Sequence, residues 1–159
     1  MLHKIFPTLI LIICLISCKS RSALDFSEAI VKKEKSLVTD IETTERKVAD
    51  YIKADKFDSV AAVSERMEKL VDNRLQEVKS LPLPDAKNAE GFKKASVEYF
   101  EFLKSVYTSY KNFGLAKTEE ERLKEQQQLL EIINNKNNIV AIMQREQRKF
   151  AEANGFRVQ

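Results

Sequence analysis

Imidazole and thiol chemistry in this 159-residue chain rests on three positions, His3, Cys14 and Cys18, because the sequence holds one histidine and two cysteines in all. All three stand in the first eighteen residues. Met1–Lys4 are weakly basic, and Ile5–Ile16 follow with about 12 mostly apolar residues, the make-up of a secretory signal peptide. Removing that segment would take the sole imidazole with it. On this reading Ser-His-Asp and Cys-His catalysis are excluded, together with zinc sites built on His or Cys and the Glu-x-x-His sites of di-iron bundles. Three scattered glycines make no phosphate loop or dinucleotide fingerprint. Carboxylates are left, and acid-base work needs two of them converging with separated pKa values. The run Glu119-Glu120-Glu121 instead suits the first turn of a helix, where backbone amides favour negative charge. No enzyme activity, metal or cofactor is expected.

The apolar opening is too short to span a bilayer, which takes about 20 residues, and Lys19 and Arg21 end it. Leu15-Ile16-Ser17-Cys18 resembles the bacterial lipobox, in which a small residue precedes a cysteine that receives diacylglycerol on its sulfur and becomes the new N-terminus. Lipidation at Cys18 is therefore expected, giving a signal peptide over 1–17, a lipidated cysteine with a short linker over 18–25 and a folded domain over 26–159. Several acyl chains, each contributing about 0.8 kcal/mol per buried CH2, make a lasting anchor. With Cys14 removed and Cys18 acylated, no disulfide forms. Lys19 is not the aspartate of inner-membrane retention, so an outer-membrane address is expected; the acidic surface-export pattern is absent too, leaving the periplasmic or surface-facing side open.

The net charge of +3 conceals a chain that is 32% charged with its signs interleaved. Runs such as "KKEK" at 32–35 and "EEERLKE" at 119–125 lack the one-sided basic face of a nucleic-acid binder.

Apolar periodicity predicts four helices. The first is capped by Ser27 and carries Ile30, Leu37, Ile41 and Val48 to about Lys53. The second runs from Phe57 to about Ser80, where Pro82 and Pro84 forbid continuation. The third places Phe92, Tyr99, Leu103, Val106, Tyr107, Tyr110 and Phe113 on one side, with Gly114 as its stop. The fourth begins at a capping box of Thr118 and Glu121, carries Leu129, Ile133, Val140, Met143 and Phe150 on one face, and ends at Asn154-Gly155. Asparagines 134–138 leave two arrangements open for it, a local break or a continuous helix with those residues in solvent. Short connections favour an antiparallel up-down-up-down four-helix bundle. That order puts the proline turn and the C-terminus at the membrane end, and 54–56 with 114–118 at the far tip.

Two groups of candidate contact residues follow. Aromatics at helical spacing ordinarily fill a core, yet tyrosine hydroxyls need partners or a wet rim, making Tyr99, Tyr107 and Tyr110 the candidates for a ligand pocket. Asp55, Lys56, Lys117 and Glu119 are the candidate tip contacts with an envelope protein or cell-wall component.

Phe26-Ser27-Glu28-Ala29, Tyr99-Phe100-Glu101-Phe102 with Tyr107, and Gln147–Ala151 leading to Asn154-Gly155-Phe156 resemble an uncharacterised helical surface-lipoprotein family of spirochaetes and Bacteroidota. The resemblance implies a lipoprotein with a helical domain and carries no activity or ligand residue. The expected role is a non-enzymatic envelope module, with a lipid or small-ligand carrier as the alternative.

Overall fold

A computed structural model describes residues 8–158, with side chains from Ser20 onward. His3 lies outside the described residues, as do the side chains of Cys14 and Cys18. Among the described residues the fold is all-helical, in six segments: α1 (Thr8–Lys35), α2 (Val38–Lys53), α3 (Phe57–Ser80), α4 (Ala89–Leu115), α5 (Glu119–Asn134) and α6 (Lys136–Ala153). None of these helices is long and apolar enough to cross a membrane.

Two of the four expected helices are interrupted. The first breaks at Ser36-Leu37, where the Ser36 hydroxyl donates to the Lys33 carbonyl at 2.7 Å. Such side-chain bonds compete with the helical ladder. Leu37 is nonetheless fully buried and its carbonyl accepts from Ile41 N–H at 2.8 Å, so helix resumes directly. The fourth breaks at Asn135, whose side-chain oxygen accepts from Asn138 at 3.2 Å. That break changes which residues face inward: Leu129 and Ile132 are half-buried on α5, whereas Ile133, expected in the core, is exposed.

Ser27 is not a helix cap. It is buried within α1, because packing already begins upstream at Ala23, which has no exposed surface. Residues 20–25 are accordingly helical, with Ala23 packed and Arg21, Ser22 and Asp25 exposed, and at 1.5 Å rise per residue they reach only about 9 Å.

Helix ends follow local chemistry. After α2, Asp55 adopts φ 54°, Lys56 N–H returns to the Tyr51 carbonyl at 2.9 Å and Asp55 N–H to Ile52 at 3.1 Å. After α6, Gly155 (φ 76°) and Phe156 repeat the pattern, with Phe156 N–H on Ala151 at 3.1 Å. These are Schellman closures, and the second brings Phe156 onto Phe150 with ring centroids 5.7 Å apart. Thr118 and Glu121 form the expected capping box.

The α3–α4 pair is the spine. Lys79 meets Glu101, Asp72 meets Lys104 and Glu68 meets Lys111, so partners recede along α3 as α4 advances and the two helices run antiparallel. Near the far end they approach closely. A methyl group placed on Gly114 would lie 2.5 Å from the Ala61 nitrogen and 2.6 Å from the Phe57 carbonyl oxygen. Gly114 therefore sits inside α4 as a contact glycine, not as its stop.

Gly114→Ala should destabilise the protein by about 2 kcal/mol or more, since overpacking against backbone has no side chain to move aside. Gly91→Ala meets only the Glu146 carboxylate at 3.4 Å. It should be neutral or stabilise by up to about 1 kcal/mol. Thermal melts followed by circular dichroism decide both, and equal melting temperatures for the two variants would contradict the crossing.

Candidate functional site

Ser20 marks one end of the body. Its hydroxyl donates to the Asn154 carbonyl at 3.0 Å, joining α1 to the end of α6. The Asn154 side chain then grips the backbone of Lys87, accepting from its N–H at 3.3 Å and donating to its carbonyl at 2.9 Å. The proline connection and the C-terminal tail thus meet two residues downstream of Cys18. Beneath this clasp, Phe92 and Phe150 stack at 5.3 Å, and Phe26 meets each edge-on at 6.1 and 5.8 Å. Fully burying a phenylalanine contributes about 1.5–3 kcal/mol, so the three rings fasten α1, α4 and α6 together.

The opposite end gathers the other two connections. Phe57 and Phe113 pack edge-to-face at 5.7 Å, the Arg122 guanidinium lies 4.4 Å above the Phe57 ring, and its NH1 donates to the Ala116 carbonyl at 2.9 Å. Asp55, Lys56, Lys117 and Glu119 are all exposed on these connections. They share one end of the molecule, and no salt bridge joins them to one another among the described residues. Backbone amides of Lys117 and Thr118 both donate to the Glu121 carboxylate, at 2.7 and 3.1 Å, which fixes the start of α5.

The three candidate tyrosines have separate surroundings. Tyr107 is fully buried, 6.3 Å from the Tyr110 ring, in the core that α3 and α4 share with Leu37. Burial raises both phenol pKa values, and the Glu45 carboxylate adds to the shift. Tyr99 stands apart, half-buried, its pKa raised by burial and then by the Glu34 carboxylate beside its hydroxyl. Tyr99 alone of the three lines a groove of about 790 Å³ between α1, α6 and the C-terminal tail. Leu24, Val31, Val140, Met143 and Phe156 give it apolar walls, with Glu34, Lys35 and Arg157 among its charged groups. Sequence periodicity missed this groove, because it depends on how far α1 stands from α6. Phe156 was the one available signal, as an apolar residue placed directly after a Gly155 stop.

No group of three His, Cys, Asp or Glu among the described residues is arranged to hold a metal. The most enclosed ionic cluster is on the spine. Glu68, with its side chain 13% exposed, accepts from the Thr108 hydroxyl at 2.6 Å and from the Lys111 ammonium at 2.5 Å. Burial pushes its pKa up, but these donors outweigh that and hold it below the ordinary value. Lys104 likewise holds Asp72 down, and Lys33 holds Glu77 down. The arrangement is that of ionic stitching between helices rather than an acid-base pair.

Comparison with protein-family models, curated proteins and solved structures finds no match for this chain.

Lowered carboxylate pKa values mean that the folded state binds fewer protons than the unfolded chain. The stability they contribute is present above the ordinary carboxylate range, about pH 4, and is lost as pH falls through the lowered folded values. The melting temperature should therefore drop on going from about pH 6 to pH 3, and Glu68→Gln should reduce the size of that drop. A variant whose acid sensitivity equals that of the parent would contradict the assignment of Glu68.

Proposed function

We propose that the protein is a bacterial envelope lipoprotein, exported, cleaved before Cys18 and acylated there. In this reading the helices form an antiparallel up-down-up-down four-helix bundle, in which α1 with α2 and α5 with α6 each serve as one interrupted rod. The bundle is a non-enzymatic module that presents its far tip to an envelope protein or cell-wall component. The observation that carries the reading is the sequence Leu15-Ile16-Ser17-Cys18 just ahead of Ser20, which is tied to Asn154 at the end where the proline connection and the C-terminal tail meet. The motif and the end of the body coincide, which supports an anchor close to the membrane. The exposed pairs at 55–56 and 117–119 then point away from it, and Lys19, in place of the aspartate of inner-membrane retention, supports an outer-membrane address.

Intact mass of the protein extracted from its own envelope tests the anchor. The expected species begins at Cys18 and carries acyl chains, and Cys18→Ala should move the protein out of the membrane fraction. A native species that keeps residues 1–17 or bears no lipid rejects the lipoprotein reading. Removing charge at Asp55, Lys56, Lys117 and Glu119 together should weaken in situ crosslinking to the partner without altering the melting temperature by more than a few degrees. Unchanged crosslinking rejects the tip as the contact.

The groove beside Tyr99 favours a second reading, a carrier of lipid or another small amphiphile. Its volume lies within the range of ligand sites, and apolar and polar groups share its walls about equally, as an amphiphile requires. Native mass spectrometry separates the readings: a carrier retains a ligand that Met143→Lys and Tyr99→Ala release, whereas an interaction module flies without one.

A further inference from the structure

Charge is unevenly distributed along the bundle axis. The segments that gather beside Ser20, residues 20–30, 79–94 and 145–158, hold nine Lys and Arg against six Asp and Glu, with Lys79 and Lys94 paired to Glu101 and Glu98 just beyond them. Those of the far tip, residues 42–66 and 108–125, hold nine against ten.

Some of those cations are engaged within the protein. Arg21 pairs with Asp25 at 3.1 Å, while Arg145 and Lys149 share Glu146 at 3.0 Å each. Lys93 donates to the Leu81 carbonyl at 2.5 Å and so fastens the proline connection to α4. Lys87, Arg148 and Arg157 are exposed and form no salt bridge among the described residues. Asp85, Glu90 and Glu152 at the same end weaken the positive field without reversing it.

The same end also shows an apolar residue to solvent. Leu83 lies between Pro82 and Pro84 and stays 46% exposed, while Leu81 two residues earlier packs on the Phe92–Phe150 cluster. Two fixed proline φ angles hold the connection in shape, so little ordering entropy remains to be lost when Leu83 enters another phase.

We propose that this end of the bundle docks on an anionic lipid surface, with Lys87, Arg148 and Arg157 at headgroup phosphates and Leu83 in the interfacial layer. Basic residues within a Debye length of an anionic leaflet are drawn to it, and one inserted apolar side chain sets the depth. The docking rests on the lipoprotein reading for its membrane, but it concerns how the body sits and not whether it is anchored. It makes the lipid surface the partner of the near end and leaves the tip free.

The chain contains no tryptophan, so Leu83→Trp in the full protein gives a single reporter. After reconstitution in phosphatidylglycerol vesicles, its emission should shift to the blue and be quenched by brominated acyl chains. Phosphatidylcholine vesicles should give neither change. Quenching should fall at least twofold in about 1 M salt, where the screening length is about 3 Å. It should fall likewise in Lys87→Glu/Arg148→Glu, and not in the tip control Lys56→Glu/Lys117→Glu. Absent quenching in anionic vesicles, or equal quenching in both lipids, overturns the docking, including in favour of a protein or wall polymer as the acceptor. Intact mass on the same sample reads the anchor separately: an unacylated chain that still shows charge-dependent quenching sinks the lipoprotein reading and leaves the docking standing.

Discussion

Everything near the Ser20 end of the body depends on three phenylalanine rings. The fully or nearly fully buried hydrophobic residues Ala23, Phe26 and Ile30 of α1 all belong to the cluster that also holds Phe92 and Phe150. Phe26 is the ring that α1 contributes, and it contacts both of the others. Edge-to-face and offset contacts add about 0.5–1.5 kcal/mol per pair to the burial itself. The rings therefore decide whether residues 20–30 behave as part of the body or as a tether. The Ser20–Asn154–Lys87 bonds around them are partly exposed and finish the arrangement, with the apolar contact beneath supplying its strength.

Packing thins along the axis away from that end. The second core, built from Leu37, Val71, Leu75, Val78, Phe100 and Tyr107, still holds α3 against α4. Beyond it, α2 buries only Val48 and α5 buries nothing completely. Segments with few buried apolar contacts open locally at low cost. The interrupted rods therefore give a body that is firm at the Ser20 end and adaptable toward the opposite one. Gly114 moderates this by letting α3 and α4 touch backbone to backbone, which keeps the far end of the spine narrow.

Features set by a few neighbouring residues were legible before the structure. The capping box at Thr118, the stop at Asn154-Gly155, the proline connection and the limits of α3 each follow from local chemistry, and each is present. Features set by contact were not. Ser36 breaks the first rod through a hydroxyl bond to its own helix, which periodicity cannot register. Gly114 reads as a helix stop in isolation and as a contact glycine only when α3 lies across it. Periodicity placed Ile133 in the core because it assumed one continuous phase, which Asn135 resets. As for the candidate sites, helical spacing along one face brought Tyr99, Tyr107 and Tyr110 together, whereas the distance between helices separates a groove residue from two core-packed ones.

Amide hydrogen exchange on the full chain tests most directly whether the Ser20 end is one body. The account predicts that residues 23–30, 92–100 and 143–151 share a single opening free energy. Phe26→Ala should lower all three together, by the roughly 3–5 kcal/mol typical of removing a buried ring. Exchange of residues 23–30 at rates orders of magnitude above the other two segments in the unaltered protein would contradict it, and α1 would then be a tether rather than a member of the fold.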